Sequence, residues 1–370
     1  MIKYEYLKIF WFVTINILFF GFCITDGFDM GVGMLIQHPK NKEIEKRIMI
    51  NVIGPHWDGN QVWLITSIGA IFAAWPIFYS ILLSNFYLLV MISLIFLFLR
   101  PISLDFRSKI ESKIWKKFFD FGIFFSSFFP TFSIGLIIGN IFNGVSFTIQ
   151  ENKFLHFGKF FQLFSIFSVL FGILFCCMFI FHASILLKIY TEKNIQNRMH
   201  KIVNFLFPII LVVFVAIGIL LKENILGFSI YKILNKEFFI IEKGIWIKSL
   251  KNYKIFCIIP IFFILFLYFS YFFSKKNKNK VSFLFSCLAI FFLIFTISLI
   301  LFPFIMPSKI YPNSSLTVWN ATSSQKTLFN MMIISCILFP LVLLYTFWSY
   351  KKMFRKITKK YIKKNQNSLY

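Results

Sequence analysis

The sequence predicts an all-α, polytopic membrane bundle of about nine transmembrane helices, and three observations predict it. Of 370 residues, 58% are hydrophobic and 14% charged, more apolar side chain than one soluble core can use. The apolar residues fall in runs of about 20, the length that crosses the hydrocarbon of a bilayer. The 39 Lys and Arg residues sit in short strips between those runs. A nucleic-acid binder would gather them on one folded polar surface, so the net charge of +25 does not point to nucleic acid.

The first apolar run spans 7 to 36. Its stretch from Leu7 to Thr25 is longer than a signal-peptide core and lacks a basic leader and a small-residue cleavage site, so it is expected to be a retained helix. Further crossings are expected at 50 to 75, 79 to 99, 119 to 143, 159 to 186, 203 to 221, 255 to 273, 281 to 303 and 329 to 350. Nine crossings put the termini on opposite sides. The loops at 38 to 47, 100 to 118, 187 to 202 and 274 to 280, with the tail from 351, hold 26 of the 39 basic residues. Lys and Arg resist translocation, so these loops and the C-terminus are expected in the cytoplasm and the N-terminus in the periplasm. No repeat of 20 to 50 residues and no linker interrupts the pattern, so residues 1 to 370 are expected to form a single transmembrane domain.

Cys23, Cys176, Cys177, Cys257, Cys287 and Cys336 all lie in apolar runs with no CxxC or Cys/His spacing for zinc, and read as small buried hydrophobes. His56 and His182 fall in spans, but without spacing that would identify a heme pocket. With 56 Phe in the chain, an aromatic stripe carries little functional information. No Walker loop, HExxH or GxSxG elbow is present. No catalytic residue and no metal site is expected in this chain.

The informative residues are acids inside apolar segments. Asp26, Asp29 and Asp58 fall within or at the edges of spans, where an ionisable group costs about 2.5–3.5 kcal/mol at mid-bilayer. If the second span starts near Asn51, Asp58 lies about 10 Å inside it. The three acids are then expected to cluster toward the cytoplasmic face, with Asp26 and Asp29 on one side of the first helix. Glycines in Asp26-Gly27-Phe28-Asp29-Met30-Gly31-Val32-Gly33 let helices approach closely. Pro55 and Gly59 loosen the backbone around Asp58, and His56, Asn60 and Gln61 complete a hydrated polar inlet. A structural reading stands beside this one: the acids cap helix ends or pair with Arg47 and Arg100, and Arg100 complements a helix dipole. A proton-coupled secondary transporter is the rival functional class. It would show paired broken helices in corresponding halves.

Thr25-Asp26-Gly27-Phe28-Asp29-Met30-Gly31-Val32-Gly33 and Pro55-His56-Trp57-Asp58-Gly59-Asn60-Gln61-Val62-Trp63-Leu64 closely resemble subunit II of the cytochrome bd quinol oxidases. The resemblance continues through Phe72-Ala73-Ala74-Trp75-Pro76, Arg100-Pro101, Asp105-Phe106-Arg107-Ser108-Lys109, Phe302-Pro303-Phe304, Ala321-Thr322-Ser323-Ser324-Gln325, Leu344-Tyr345-Thr346 and Lys352-Met353-Phe354. It implies two four-helix bundles plus one peripheral helix, in a terminal oxidase of the bacterial inner membrane. It also implies a heme-bearing subunit I as partner, heme b and heme d ligated mainly by that subunit, ubiquinol as substrate of the complex, and oxygen reduced to water. Asp58, Asp29, Asp26 and His56 are expected to form a cytoplasmic proton path, with Asn60, Gln61 and Arg100 as polar support. Membrane lipid is a further expected partner, and whether a small accessory subunit joins stays open. One departure from the family pattern is Asn320, where an acid is usual before Ala-Thr-Ser-Ser.

Overall fold

The structure, a computed structural model, describes residues 3–150, 153–156, 158–233, 236–252 and 258–364. The expected crossings appear as helices with two departures, the first of which is that the run expected at 79 to 99 is divided at Phe86 between two helices. In the other, the run expected as a second span at 50 to 75 is two helices, an amphipathic α2 (Glu43–Ile53) and α3 (Trp57–Ala74), so Asp58 opens a helix rather than lying two turns inside one. Preceding them is α1 (Tyr4–Leu35), and α4 (Pro76–Asn85) and α5 (Tyr87–Phe106) follow. The break between α3 and α4 bends the chain by 120° at Trp75-Pro76. Proline disfavours the helical conformation in the residue before it, and Trp75 has left it, with φ −132° and ψ 67°.

Beyond these lie α6 (Lys113–Asn143), α7 (Ile166–Tyr190), α8 (Lys193–Glu223), α9 (Ile245–Asn252), α10 (Ile259–Lys275), α11 (Asn279–Leu301), α12 (Gln325–Met353) and the short α13 (Lys359–Lys364). Among the described residues, α1, α5, α6, α7, α8, α11 and α12 are each long and apolar enough to cross a membrane. Together the bent pair α3–α4 is long and apolar enough for one broken span or a re-entrant loop, and α10 is a shorter apolar helix. Cys257 lies outside the described residues.

Helices α1, α3, α5 and α6 pack as one group, and α7, α8, α10 and α11 as a second. The groups join where α1 and α6 pack on α7, and α12 lies at the periphery against α1 and α3. Small residues set the join. A Cβ on Gly31 would stand 2.1 Å from the Phe179 carbonyl oxygen, and one on Gly135 would stand 2.5 Å from the Gly172 Cα. In lipid no hydrophobic drive separates helix from solvent, so close backbone approach of this kind supplies the contact energy. Residues such as Ile9, Val13, Ile17, Ile65, Phe98 and Phe205 stay exposed, as lipid-facing side chains do.

The connections at the α1 N-terminal end are not purely irregular, as an all-helical reading implies. Three antiparallel hairpins form there: β1 (Phe147–Gln150) with β2 (Lys153–His156), β3 (Leu226–Ile233) with β4 (Lys236–Lys243), and β5 (Phe304–Met306) with β6 (Leu316–Thr317). Pairing satisfies backbone groups that leave the helices. Asn320 stabilises the third by accepting from the Thr317 N–H at 2.7 Å and donating to the Ser315 carbonyl at 3.0 Å. A carboxylate could not make that donation, so the amide has a structural use of its own here.

At the opposite end α2 is tied down by charges. Arg107, 1% exposed, donates to Asp120 at 2.6 Å and pairs with Glu43 at 3.0 Å, while Lys46 reaches Asp120 at 2.7 Å. Arg198 of α8 holds Glu45 at 2.9 Å and also bonds Asn41. Burial pushes the Glu45 carboxyl up. The Lys42 backbone N–H and the Arg198 guanidinium outweigh it and hold the group below its ordinary 4.5. A depressed carboxylate contributes stability that is whole above its unfolded value and fades as pH falls through the folded one. The thermal midpoint of the wild-type protein is therefore expected to drop more steeply below pH 4.5 than that of Glu45→Gln. Parallel curves from differential scanning fluorimetry would count against the Arg198 contact.

Candidate functional site

Asp26 and Asp29 lie three residues apart on α1, one turn of helix, and both are 0% exposed. Arg100 comes from α5, just before Pro101, and is 1% exposed. Its Nη1 donates to Asp26 Oδ1 at 2.6 Å, while Nη2 stands 3.8 Å from Asp29 Oδ2. Asn60, in the first turn of α3, donates from Nδ2 to Asp29 Oδ2 at 2.7 Å. Tyr350 of α12 donates its hydroxyl to Asn60 Oδ1 at 2.5 Å. Four helices thus meet on one buried polar chain that runs Tyr350, Asn60, Asp29 and then Arg100 with Asp26.

Arg100 is the ion-pair partner that the structural reading named, held inside the fold and not at a helix end. The two readings are not exclusive. One guanidinium faces two carboxylates, so pairing satisfies Asp26 and leaves Asp29 with an amide. Asp26 Oδ2, Asp29 Oδ1 and Arg100 Nη2 have no hydrogen-bond partner in the protein. Unpaired polar atoms in an apolar interior cost about 1–3 kcal/mol each unless water or a proton answers them.

The remaining expected residues separate. His56 is buried at the N-terminus of α3, its ring stacked on Phe354 at 4.1 Å and edge-on to Tyr350 at 4.9 Å, and its Nε2 lacks a partner. Asp58 does not join the buried cluster: it is exposed in the first turn of α3. A helix start turns by about 100° per residue, so Asp58 and Asn60 face opposite ways. Gln61 is half-buried and Pro55 exposed. Of the cysteines, Cys23 and Cys176 are buried, Cys177 and Cys287 partly so, and Cys336 is exposed on α12, which corrects the expectation that all are buried.

Two residues escaped the sequence reading, Tyr350 and Asp120, whereas His182 was named there without its partners. Tyr350 is a tyrosine at the end of an apolar run, 290 residues from the amide it bonds, and carries no local signal. Asp120 was legible, because it opens the run expected at 119 to 143, yet it is 2% exposed and bound by Arg107 and Lys46. His182 sits at the join between the helix groups. The Ile24 carbonyl can only accept, so His182 Nε2 carries the proton and donates to it at 3.2 Å, while Nδ1 faces the Ser286 hydroxyl at 2.7 Å.

Among the described residues no group of three or more His, Cys, Asp or Glu is arranged to hold a metal ion. The single broken helix pair, α3–α4, has no bent counterpart in the second half among the described residues, unlike the paired breaks of the rival transporter class.

The family model described as cytochrome bd terminal oxidase subunit II matches residues 7–353. The chain is 40% identical over 380 residues to the cytochrome bd-I ubiquinol oxidase subunit 2 of Escherichia coli strain K12, covering 100% of both. It is 38% identical over 379 residues to the probable cytochrome oxidase subunit 2 of Haemophilus influenzae, again covering 100% of both. With the cytochrome bd ubiquinol oxidase subunit 2 of Bacillus subtilis it shares 32% over 346 residues, 94% of this chain and 95% of the other. Its fold matches a chain of the bd oxidase structure from Geobacillus thermodenitrificans with TM-score 0.72 at 12% identity, over 92% of this chain and 97% of that one. A multi-pass helical bundle with acids and an arginine buried across its helices, matched along almost its whole length, identifies the chain as a member of the cytochrome bd terminal oxidase subunit II family.

Proposed function

We propose that this chain supports a heme-bearing subunit I in a quinol oxidase of the bacterial inner membrane and contributes a proton path from the cytoplasm toward the site of oxygen reduction. Ubiquinol, named for the Escherichia coli and Bacillus subtilis relatives, is the substrate of the complex. Alone, the chain does not oxidise it. The termini lie as the basic loops indicate, the N-terminus periplasmic and the C-terminus cytoplasmic.

The observation that carries the reading is the buried chain from Tyr350 to Arg100. Two carboxylates and one guanidinium leave a negative charge over in a region without exposure, and a proton neutralises such a charge most readily. Asp29 is the member suited to receive it, because Arg100 is committed to Asp26 at 2.6 Å and stands 3.8 Å from Asp29. At that distance the two groups attract as charges without a hydrogen bond between them. Asp58, exposed at the start of α3, collects protons at the surface, and His56, packed against Tyr350, is the next titratable group of the path. Gln61 lends polar support beside it.

Hemes b and d belong to the partner in this reading. Both His182 nitrogens are engaged, by the Ile24 carbonyl and the Ser286 hydroxyl. The resemblance places the heme ligands mainly on subunit I, and no step is assigned to heme on this chain.

The test is Asp29→Asn in the purified complex. Quinol-dependent oxygen uptake per heme is expected to fall by about 10–100-fold, the range of a lost acid–base group, with the heme spectrum retained. Unchanged uptake at unchanged heme content would overturn the proton-path role.

A further inference from the structure

Helix α12 is peripheral: Leu328 is its one fully buried residue. Yet one of its ends reaches the fully buried carboxylates of α1. Tyr350 donates to Asn60 at 2.5 Å, and the Phe354 ring one turn on is stacked on both His56 at 4.1 Å and Tyr190 at 4.7 Å. A peripheral helix needs no such hydroxyl for packing.

The bonds have a fixed direction. Asn60 Oδ1 can only accept, so the Tyr350 O–H points at it, and Asn60 Nδ2 is then the end that faces Asp29 Oδ2 at 2.7 Å. Asp29 Oδ2 is thereby occupied as an acceptor, and Oδ1, which has no protein partner, is left as the oxygen that can take a proton. Without the phenol the amide loses the contact that distinguishes its two ends. Turned over, it would set Oδ1 of Asn60 against Asp29 and demand a proton between two oxygens.

We propose that Tyr350 is a positioning residue: acting through Asn60, it fixes which oxygen of Asp29 exchanges a proton. The role rests on the proton-path reading of Asp29. The groups facing Tyr350 and Asn60 are Asp29 of α1 and His56 at the start of α3, with Asp26 and Arg100 behind Asp29. Asp29 is the one bonded to the amide.

The experiment is a double-mutant cycle in the whole complex, with Tyr350→Phe, Asn60→Leu and the pair. Oxygen uptake per heme, its solvent deuterium isotope effect and the infrared carboxyl bands on reduction are recorded for each. Tyr350→Phe is expected to lower uptake by about 3–10-fold, raise the isotope effect and shift a carboxyl band that Asp29→Asn removes. In the Asn60→Leu background it is expected to add nothing. Additive losses, or an unshifted band at lowered uptake, would mean a packing role and overturn the proposal. Should Tyr350→Phe not assemble, 3-fluorotyrosine at position 350 keeps ring and hydroxyl while changing donor strength. An unmoved band in that protein overturns the proposal equally. Wild-type uptake in Asp29→Asn would remove both readings, whereas reduced uptake there with an indifferent Tyr350 removes this one alone.

Discussion

Replacing Arg100 by Gln is expected to abolish the assembled complex rather than slow it. The guanidinium is 1% exposed and holds Asp26 at 2.6 Å, and the substitution leaves two fully buried carboxylates with no cation. Removing one partner of a buried pair costs about 3–5 kcal/mol, because the other charge remains without compensation. That is a large share of the about 5–15 kcal/mol by which proteins are stable. The cost comes from charge and not from lost volume, so Asp26→Asn combined with Arg100→Gln is expected to recover a substantial part of the heme-bearing complex. Heme per milligram of membrane protein and the thermal midpoint of the purified complex measure both. If the double variant is no better than the single, the arginine acts through packing of its stem, and the charge argument fails.

The second large effect is expected at the join between the helix groups. Gly31→Val would set a Cβ 2.1 Å from the Phe179 carbonyl and 2.5 Å from the Ala183 Cβ, with two further methyls beyond it. The first obstacle is backbone, which cannot rotate away, so α1 and α7 must separate. Overpacking of cores costs about 1–3 kcal/mol and occasionally more, and this site is expected at the upper end. Since α1 also carries Asp26 and Asp29, the displacement is expected to reduce activity of whatever complex survives. Gly59→Ala, where no atom lies within 4 Å of the added Cβ, is the control and is expected to assemble normally. Equal expression and thermal midpoints for the two variants would show that α1 and α7 do not approach as closely as 2.1 Å implies.

The chain's own pattern was enough to read a membrane bundle, because each crossing is a local property of about 20 consecutive apolar residues. It was also enough to single out Asp26 and Asp29, since an acid in such a run needs an explanation wherever the helix points. Asp58 was placed with them on the assumption that one helix ran from Asn51 onward. The turn between α2 and α3 breaks that helix and leaves the residue exposed. Which way a side chain faces depends on where its helix begins, and that was fixed by packing of α2 through Ile48, Met49 and Ile50.

What the sequence determined by itself is therefore the solvent of this protein, the places where it crosses, and the presence of two acids that must be answered. Tertiary structure alone decided who answers them. Asp29 meets an amide 31 residues away, Asp26 an arginine 74 away, and that amide a tyrosine 290 away. The physical reason is that a hydrogen bond acts over about 3 Å and is indifferent to separation along the chain. Its partners become visible when the helices carrying them are packed together.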